Sequence, residues 1–270
     1  MRVILLLIIY ILSINSIIAQ STLNSNNKAT INIVDYDCLI IDFFAHAAYI
    51  TYQTEIKAVK MAPSEVSHSE ENEFGKKIYD ELFKKQSFID SGTKKDKLQQ
   101  TLDKLLRVLP NNKSTIKYSI HLINDTLINA YTSGGYIYIF EGLYNYCKND
   151  DEIAFIIAHE IAHNELGHIN LMLKRLKVAG KFGNILYAIK ELTTMSFNQF
   201  NELEADCYAA DLVKAAGYSP VKGAKFWKKM ATDFNETDDR FRKFFMTHPY
   251  SNERYNCLKK HIQTNWNMSF

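Results

Sequence analysis

The sequence predicts an α+β fold that is predominantly helical, with a small sheet near its middle. Apolar residues recur at helical spacing over most of the chain beyond position 70, and only four prolines and ten glycines are present to interrupt long helices. Ile116–Ile123 alternates as a strand does, and Tyr136–Phe140, introduced by Gly134-Gly135, is a second strand candidate close by. Apolar residues make up 47% of the chain and charged residues 23%, which marks a globular protein and excludes a disordered one.

In chain order, Met1–Ala19 reads as a secretory signal. Arg2 gives the positive end, Val3–Leu12 is apolar without a break, and Ser13, Asn15 and Ser16 lead toward cleavage after Ala19. The alternative is an uncleaved anchor, for which the stretch is short. The expected location is therefore exported, periplasmic or secreted, with no stable membrane span in the mature chain. Residues 20–69 form an N-terminal arm of uncertain type: Ser21–Lys28 is polar, Ile31–Met61 is apolar and aromatic-rich, and Pro63–Glu71 is a polar break. Residues 70–270 make up one larger domain.

Within that domain, Asn72–Phe88 places Phe74, Ile78, Leu82 and Phe83 on one side, and Lys94–Val108 repeats the pattern through Leu98, Leu102, Leu105 and Leu106. After the two strand candidates, Asp150 opens a helix that runs to about Gly167. Asp150 and Asp151 suit its positive end, and Ile153, Ile156, Ile157 and Ile161 recur along it. Further helices are expected at Asn170–Lys181, Asn184–Thr194, Asn198–Ala216, Pro220–Phe234 and Asn252–Gln263. The formal charge of +2 offers no basic surface for nucleic acid. Cys38, Cys147, Cys207 and Cys257 are widely spaced, so a zinc finger is not expected. In an exported protein they allow three full disulfide pairings, and buried free thiols are the alternative.

The chemistry lies in His159-Glu160-Ile161-Ala162-His163. Residues four apart on a helix share a face, so both imidazoles can reach one zinc ion. Glu160 is turned by about 100° from His159, to the edge of that face, where a carboxylate can serve as general base without binding the metal. A third protein donor is needed. If the motif continued as His-x-x-Gly-x-x-His a histidine would supply it, but Gly167 and His168 are out of place for that pattern. A glutamate on a following helix is the other solution, and Glu202 offers it, with Asp206 four residues on along the same face. Asp206 is expected to hold the outer nitrogen of a ligating histidine. Glu204 points to another side and is expected to be solvated, while Glu165 and Glu191 are weaker candidates. Near the C-terminus, His248 is placed either to stabilise an oxyanion or to occupy the open zinc position at rest, and Arg254 follows it. His46, His68, His121 and His261 have no ligand-like spacing.

Together these blocks resemble the HtpX and CAAX prenyl endopeptidase family of zinc metallopeptidases, and within it a soluble, exported branch. The resemblance runs from about Glu70 to His261 through His159–His168, Glu202–Asp206, His248-Pro249 with Arg254, and, upstream, Asn129-Ala130-Tyr131 and Gly134–Tyr138. It implies a gluzincin-type fold with a small sheet beside the active-site helix. It implies one zinc per chain on His159, His163 and Glu202, Glu160 as base, and His248 approaching the metal from the C-terminal lobe. It further implies that Tyr136–Phe140 is an edge strand, so that Gly135, Tyr136, Ile137 and Tyr138 would bind an extended polypeptide as an added strand. Ser133 stands where many members have proline, and Asn198-Gln199 where many have Ser-Arg, which bears on loop shape and substrate preference and not on the metal. The expected function is a zinc-dependent endopeptidase acting on extended or misfolded polypeptides in protein quality control outside the cytoplasm. The alternatives are a chaperone-like polypeptide binder with slow or gated proteolysis, and a zinc hydrolase of non-peptide bonds.

Overall fold

In a computed structural model of the chain, residues 28–40, 43–110, 115–184, 186–187, 198–233, 248 and 251–270 are described. The expected signal at Met1–Ala19 and most of the helix expected at Asn184–Thr194 lie outside them. The helices are α1 (Phe43–Met61), α2 (His68–Phe83), α3 (Thr93–Arg107), α4 (Glu141–Tyr146), α5 (Asp150–Glu165), α6 (His168–Val178), α7 (Gln199–Ala215), α8 (Pro220–Asp233) and α9 (Asn252–Trp266). The strands are β1 (Phe88–Ile89), β2 (Ser119–Ile123), β3 (Ala130–Ser133) and β4 (Tyr136–Phe140). The architecture is thus α+β and mainly helical.

Local signals set the helix starts. Ser67 and Glu70 form a reciprocal capping box at α2, Asn149 accepts from the Glu152 amide at α5, Asn198 caps α7, and Ser251 accepts from the Arg254 amide at α9. The break expected at Pro63–Glu71 therefore ends sooner than its polarity suggests, because its Ser67 and Glu70 are the start of α2.

The sheet order is β1-β2-β4-β3, with β2 and β4 parallel and the other pairs antiparallel. This overturns the expectation that Tyr136–Phe140 is an edge strand. It is hydrogen-bonded on both sides, Tyr138 facing His121 of β2 and Tyr131 of β3. The reason lies in its composition. Ile137 and Ile139 pack into the core that holds α5, while Tyr138 and Phe140 pack on the opposite face with α2 and α6, so the strand is covered on both faces. Gly134-Gly135 does not merely introduce β4 but turns β3 back onto it, with φ of 55° and 87°. A side chain at Gly134 would meet the Glu71 carbonyl, and one at Gly135 the Lys117 carbonyl.

Helix α5 is buried from Glu152 to Asn164, packed between the sheet, α3, α7 and α8. That is why its sequence is apolar nearly all round and why its polar residues stand out. At Gly223, α8 comes so close that an added Cβ would strike the Phe155 ring. No helix among the described residues is long and apolar enough to cross a membrane.

The arm region of ambiguous type divides into an extended strap, 28–40, and helix α1. The strap is fixed at several points. The Ala29 amide donates to the Val108 carbonyl, Asn32 donates twice to the Asp211 carboxylate, and Lys260 pairs with Asp35. Cys38 is disulfide-bonded to Cys257 of α9, and Cys147 and Cys207 are free thiols. Leu39 and Tyr52 then pack with Phe200, Leu203 and Cys207 of α7.

Candidate metal centre

Two adjacent helices build the centre. From α5, His159 and His163 project from successive turns, and their Nε2 atoms lie 3.1 Å apart. From α7, the Glu202 carboxylate lies 3.6 Å from His159 Nε2 and 3.3 Å from His163 Nε2. Zinc takes nitrogen and oxygen donors at about 2.0–2.1 Å in a tetrahedron, which sets the donors roughly 3.3 Å apart. The three separations match that edge, so the residues fit the ion. His248 joins them, and ligand atoms of all four side chains lie within 4.8 Å of one another, all buried.

Glu160 is 2% exposed and stands off this triangle, with His248 Nε2 3.7 Å from its carboxylate. Burial raises its carboxyl above the ordinary range, the direction a proton-accepting group requires. Burial would push Glu202 up too, but His248, Arg254 and the two imidazoles hold it well below. Burial drives His163 well below its ordinary value and so keeps it neutral. It opposes charge on His159 as well, yet the Asp206 and Glu202 carboxylates outweigh it and lift that imidazole to about 9.

Arg254 and Asp206 brace the donors. Asp206 Oδ1 lies 3.0 Å from His159 Nδ1, on the side away from the triangle. Arg254 donates from Nε and Nη2 to the two Asp206 oxygens at 2.6 and 3.0 Å, and its Nη1 lies 2.8 Å from Glu202 Oε2. The Trp227 indole donates to Asp206 as well, at 2.9 Å. The structure thus brings together His159, Glu160, His163, Glu202, Asp206, His248 and Arg254.

It does not bring Gly135, Tyr136, Ile137 and Tyr138 to a free edge, since they belong to the turn and to the interior strand β4. Among the described strands, β3 is the one beside α5 that has a strand neighbour on one side alone. Asn164, which sequence reasoning missed, locks the two together. Its Nδ2 donates to Thr132 Oγ1 at 2.8 Å, and its Oδ1 accepts from the Gly135 amide at 3.0 Å. Its place one turn after Glu160 was the available signal. Glu204 is a further correction. It is not solvated but accepts hydrogen bonds from Tyr36 and Tyr52 and contacts His168 Nε2 at 2.9 Å. It does lie on another side of α7 from Glu202, as the helical wheel requires, but the arm covers that side.

Two imidazoles one turn apart, a carboxylate standing beside them and a glutamate from a later helix define a metallohydrolase centre of the His-Glu-x-x-His type. The chain belongs to peptidase family M48, whose family model matches residues 93–262, a stretch that holds every donor and brace named above. Metalloproteases of this family use zinc. The mitochondrial metalloendopeptidase OMA1 of Saccharomyces cerevisiae is 31% identical over 163 residues, covering 54% of this chain and 47% of that protein. The metalloprotease LoiP of Escherichia coli is 29% identical over 160 residues, 53% of this chain and 61% of that protein. The beta-barrel assembly-enhancing protease of Yersinia pestis is 26% identical over 182 residues, 58% of this chain and 37% of that protein. The chain therefore spans less than two thirds of each of these relatives.

Proposed function

We propose that this protein is a zinc-dependent endopeptidase that hydrolyses peptide bonds of extended or misfolded polypeptides, in protein quality control outside the cytoplasm. The observation that carries the reading is the donor triangle of His159, His163 and Glu202 with the unligated Glu160 beside it. In this reading residues 70–270 are the peptidase domain and 20–69 its arm. The signal-like leader and the Cys38–Cys257 disulfide support an oxidising, exported setting.

A zinc ion held there would polarise the scissile carbonyl and lower the pKa of water toward 7. The chain's own residues supply the rest. Glu160 accepts the proton of the attacking water and delivers it to the leaving amine. Asp206 fixes the His159 tautomer, and Arg254 holds both Asp206 and Glu202 in place. The substrate backbone adds beside β3, which among the described strands pairs with β4 alone, with the Gly135 turn and Tyr136–Tyr138 of β4 behind it.

His248 favours a gated form of this activity. Its Nδ1 lies 3.2 Å from Glu202 Oε1, and it is buried within the donor set, so in this conformation the position a substrate needs is filled by an imidazole. Catalytic zinc sites keep one position open. His248 must move aside before cleavage, and the competing role for it is to steady the oxyanion.

Zinc content and casein cleavage, measured side by side on the mature protein, His163→Ala and His248→Ala, test both points. His163→Ala is expected to lose stoichiometric zinc and all cleavage, and retained zinc would remove His163 from the ligand set. His248→Ala is expected to keep zinc and cleave faster than wild type. A fall in rate of about 10²–10³-fold, the cost of losing an oxyanion donor, would instead make His248 a catalytic group and not a gate.

A further inference from the structure

From the outer nitrogen of His163 runs a continuous chain of hydrogen bonds that the peptidase reading does not use. His163 Nδ1 lies 2.9 Å from His168 Nδ1. His168 Nε2 lies 2.9 Å from Glu204 Oε2. The Tyr52 hydroxyl donates to the same carboxylate at 3.2 Å, the Tyr36 hydroxyl donates to its other oxygen, and Asn201 Nδ2 donates to the Tyr52 hydroxyl at 2.9 Å. The members come from five places in the sequence: the strap, α1, the last turn of α5, the start of α6 and the first turns of α7.

The direction of each bond follows from chemistry. His163 turns Nε2 toward the other donors, 3.1 Å from His159 Nε2, so an imidazole that binds metal there carries its proton on Nδ1. That proton needs an acceptor, and the facing atom is the Nδ1 lone pair of His168. His168 must then carry its own proton on Nε2, where it faces the Glu204 carboxylate. Glu204, an acceptor only, takes that proton's hydrogen bond together with two from tyrosine hydroxyls. Reversing any one bond would set two donors or two acceptors face to face.

The far end of the chain is anchored. Tyr36 stands two residues before Cys38, which is bonded to Cys257 of α9. The Tyr36 and Tyr52 rings pack on Phe200 of α7, with centroids 6.2 and 5.2 Å away. The hydroxyls that hold Glu204 are thereby fixed to the same helix that carries Glu202.

We propose that His168, Glu204, Tyr36 and Tyr52 form a positioning relay through which the N-terminal arm sets the tautomer and orientation of the zinc ligand His163. The inference rests on reading His163 as a ligand. His168 does for His163 what Asp206 does for His159, but through an imidazole whose far nitrogen faces a carboxylate that two phenols hold. The arm is in this sense part of the metal centre.

The test is zinc affinity by competition with a chromophoric chelator, with the thermal midpoint recorded in excess chelator. Groups that orient metal-ligating histidines are worth about 10–100-fold in metal affinity, and that loss is expected for His168→Leu, which fills space but offers no acceptor. His168→Gln can accept from His163 through its amide oxygen and donate to Glu204 through its amide nitrogen, so it is expected to recover most of the affinity. The two variants should melt alike in chelator, which a merely structural role for His168 does not predict alongside unequal affinity. The double variant Tyr36→Phe, Tyr52→Phe removes two hydroxyls and no ring, and it is expected to weaken zinc about tenfold, at the lower end of that range. It decides the matter if His168→Leu does not fold. Wild-type affinity in the double variant, or equal affinity of His168→Leu and His168→Gln, overturns the relay. Retention of stoichiometric zinc by His163→Ala, included as the control, would instead overturn the ligand assignment on which the relay stands.

Discussion

Glu160→Gln is expected to keep one zinc per chain and to lose about 10²–10⁴-fold in turnover, the usual contribution of a positioned general base. The substitution is isosteric and removes one ionisable oxygen from a side chain that is not in the donor triangle. Zinc content should therefore not change. The backbone should not change either, because the hydrogen bond that ties this residue to its surroundings runs from the Asn164 side chain to the Glu160 carbonyl, at 2.8 Å. What is lost is the proton acceptor. Burial already makes the Glu160 carboxyl more basic than an exposed glutamate, and an amide cannot replace that function. Metal analysis and single-substrate kinetics on the two proteins are sufficient. Cleavage at the wild-type rate with zinc in place would show that another group takes the proton.

This prediction was legible in the sequence because helical spacing alone decides it. His159, Glu160 and His163 occupy one helix, so their relative positions are set by 3.6 residues per turn and little else. The same holds for Glu202 and Asp206 on α7. The remaining step, that these two helices meet, follows from the apolar character of α5, which has to be enclosed on all sides.

The sequence said less wherever a neighbour distant in sequence decides the outcome. Tyr136–Phe140 was expected at an edge, but whether a strand is paired on one side or two depends on where Ala130–Ser133 folds. That segment is only four residues long, with no alternation of its own to mark it. Glu204 was placed on the correct side of its helix and given the wrong surroundings, because the arm that covers it begins more than 160 residues earlier. The cysteines illustrate the same limit. Composition allowed both disulfides and free thiols, and the fold has one Cys38–Cys257 bond and two unpaired thiols, a result set by how the strap crosses α9.

Arg254 carries the largest expected effect on stability. It is 3% exposed, and its guanidinium faces two fully buried carboxylates, Glu202 and Asp206. Arg254→Ala leaves both anions in a low-dielectric interior with the Trp227 indole and nearby imidazoles as their remaining partners. Removing one partner of a buried ion pair costs about 3–5 kcal/mol, because the other charge stays buried and uncompensated. The zinc ion would itself offset part of that charge, so the loss should be read from urea unfolding in excess chelator, with no reductant so that the disulfide persists. Arg254→Lys separates charge from geometry. Lysine restores the positive charge but not the planar fork that spans Asp206 at two points and Glu202 at a third, so it is expected to recover only part of the loss. A destabilisation below about 1 kcal/mol for Arg254→Ala, the range of an exposed pair, would mean that water or another cation reaches these carboxylates and that the clamp does not hold the third donor in place.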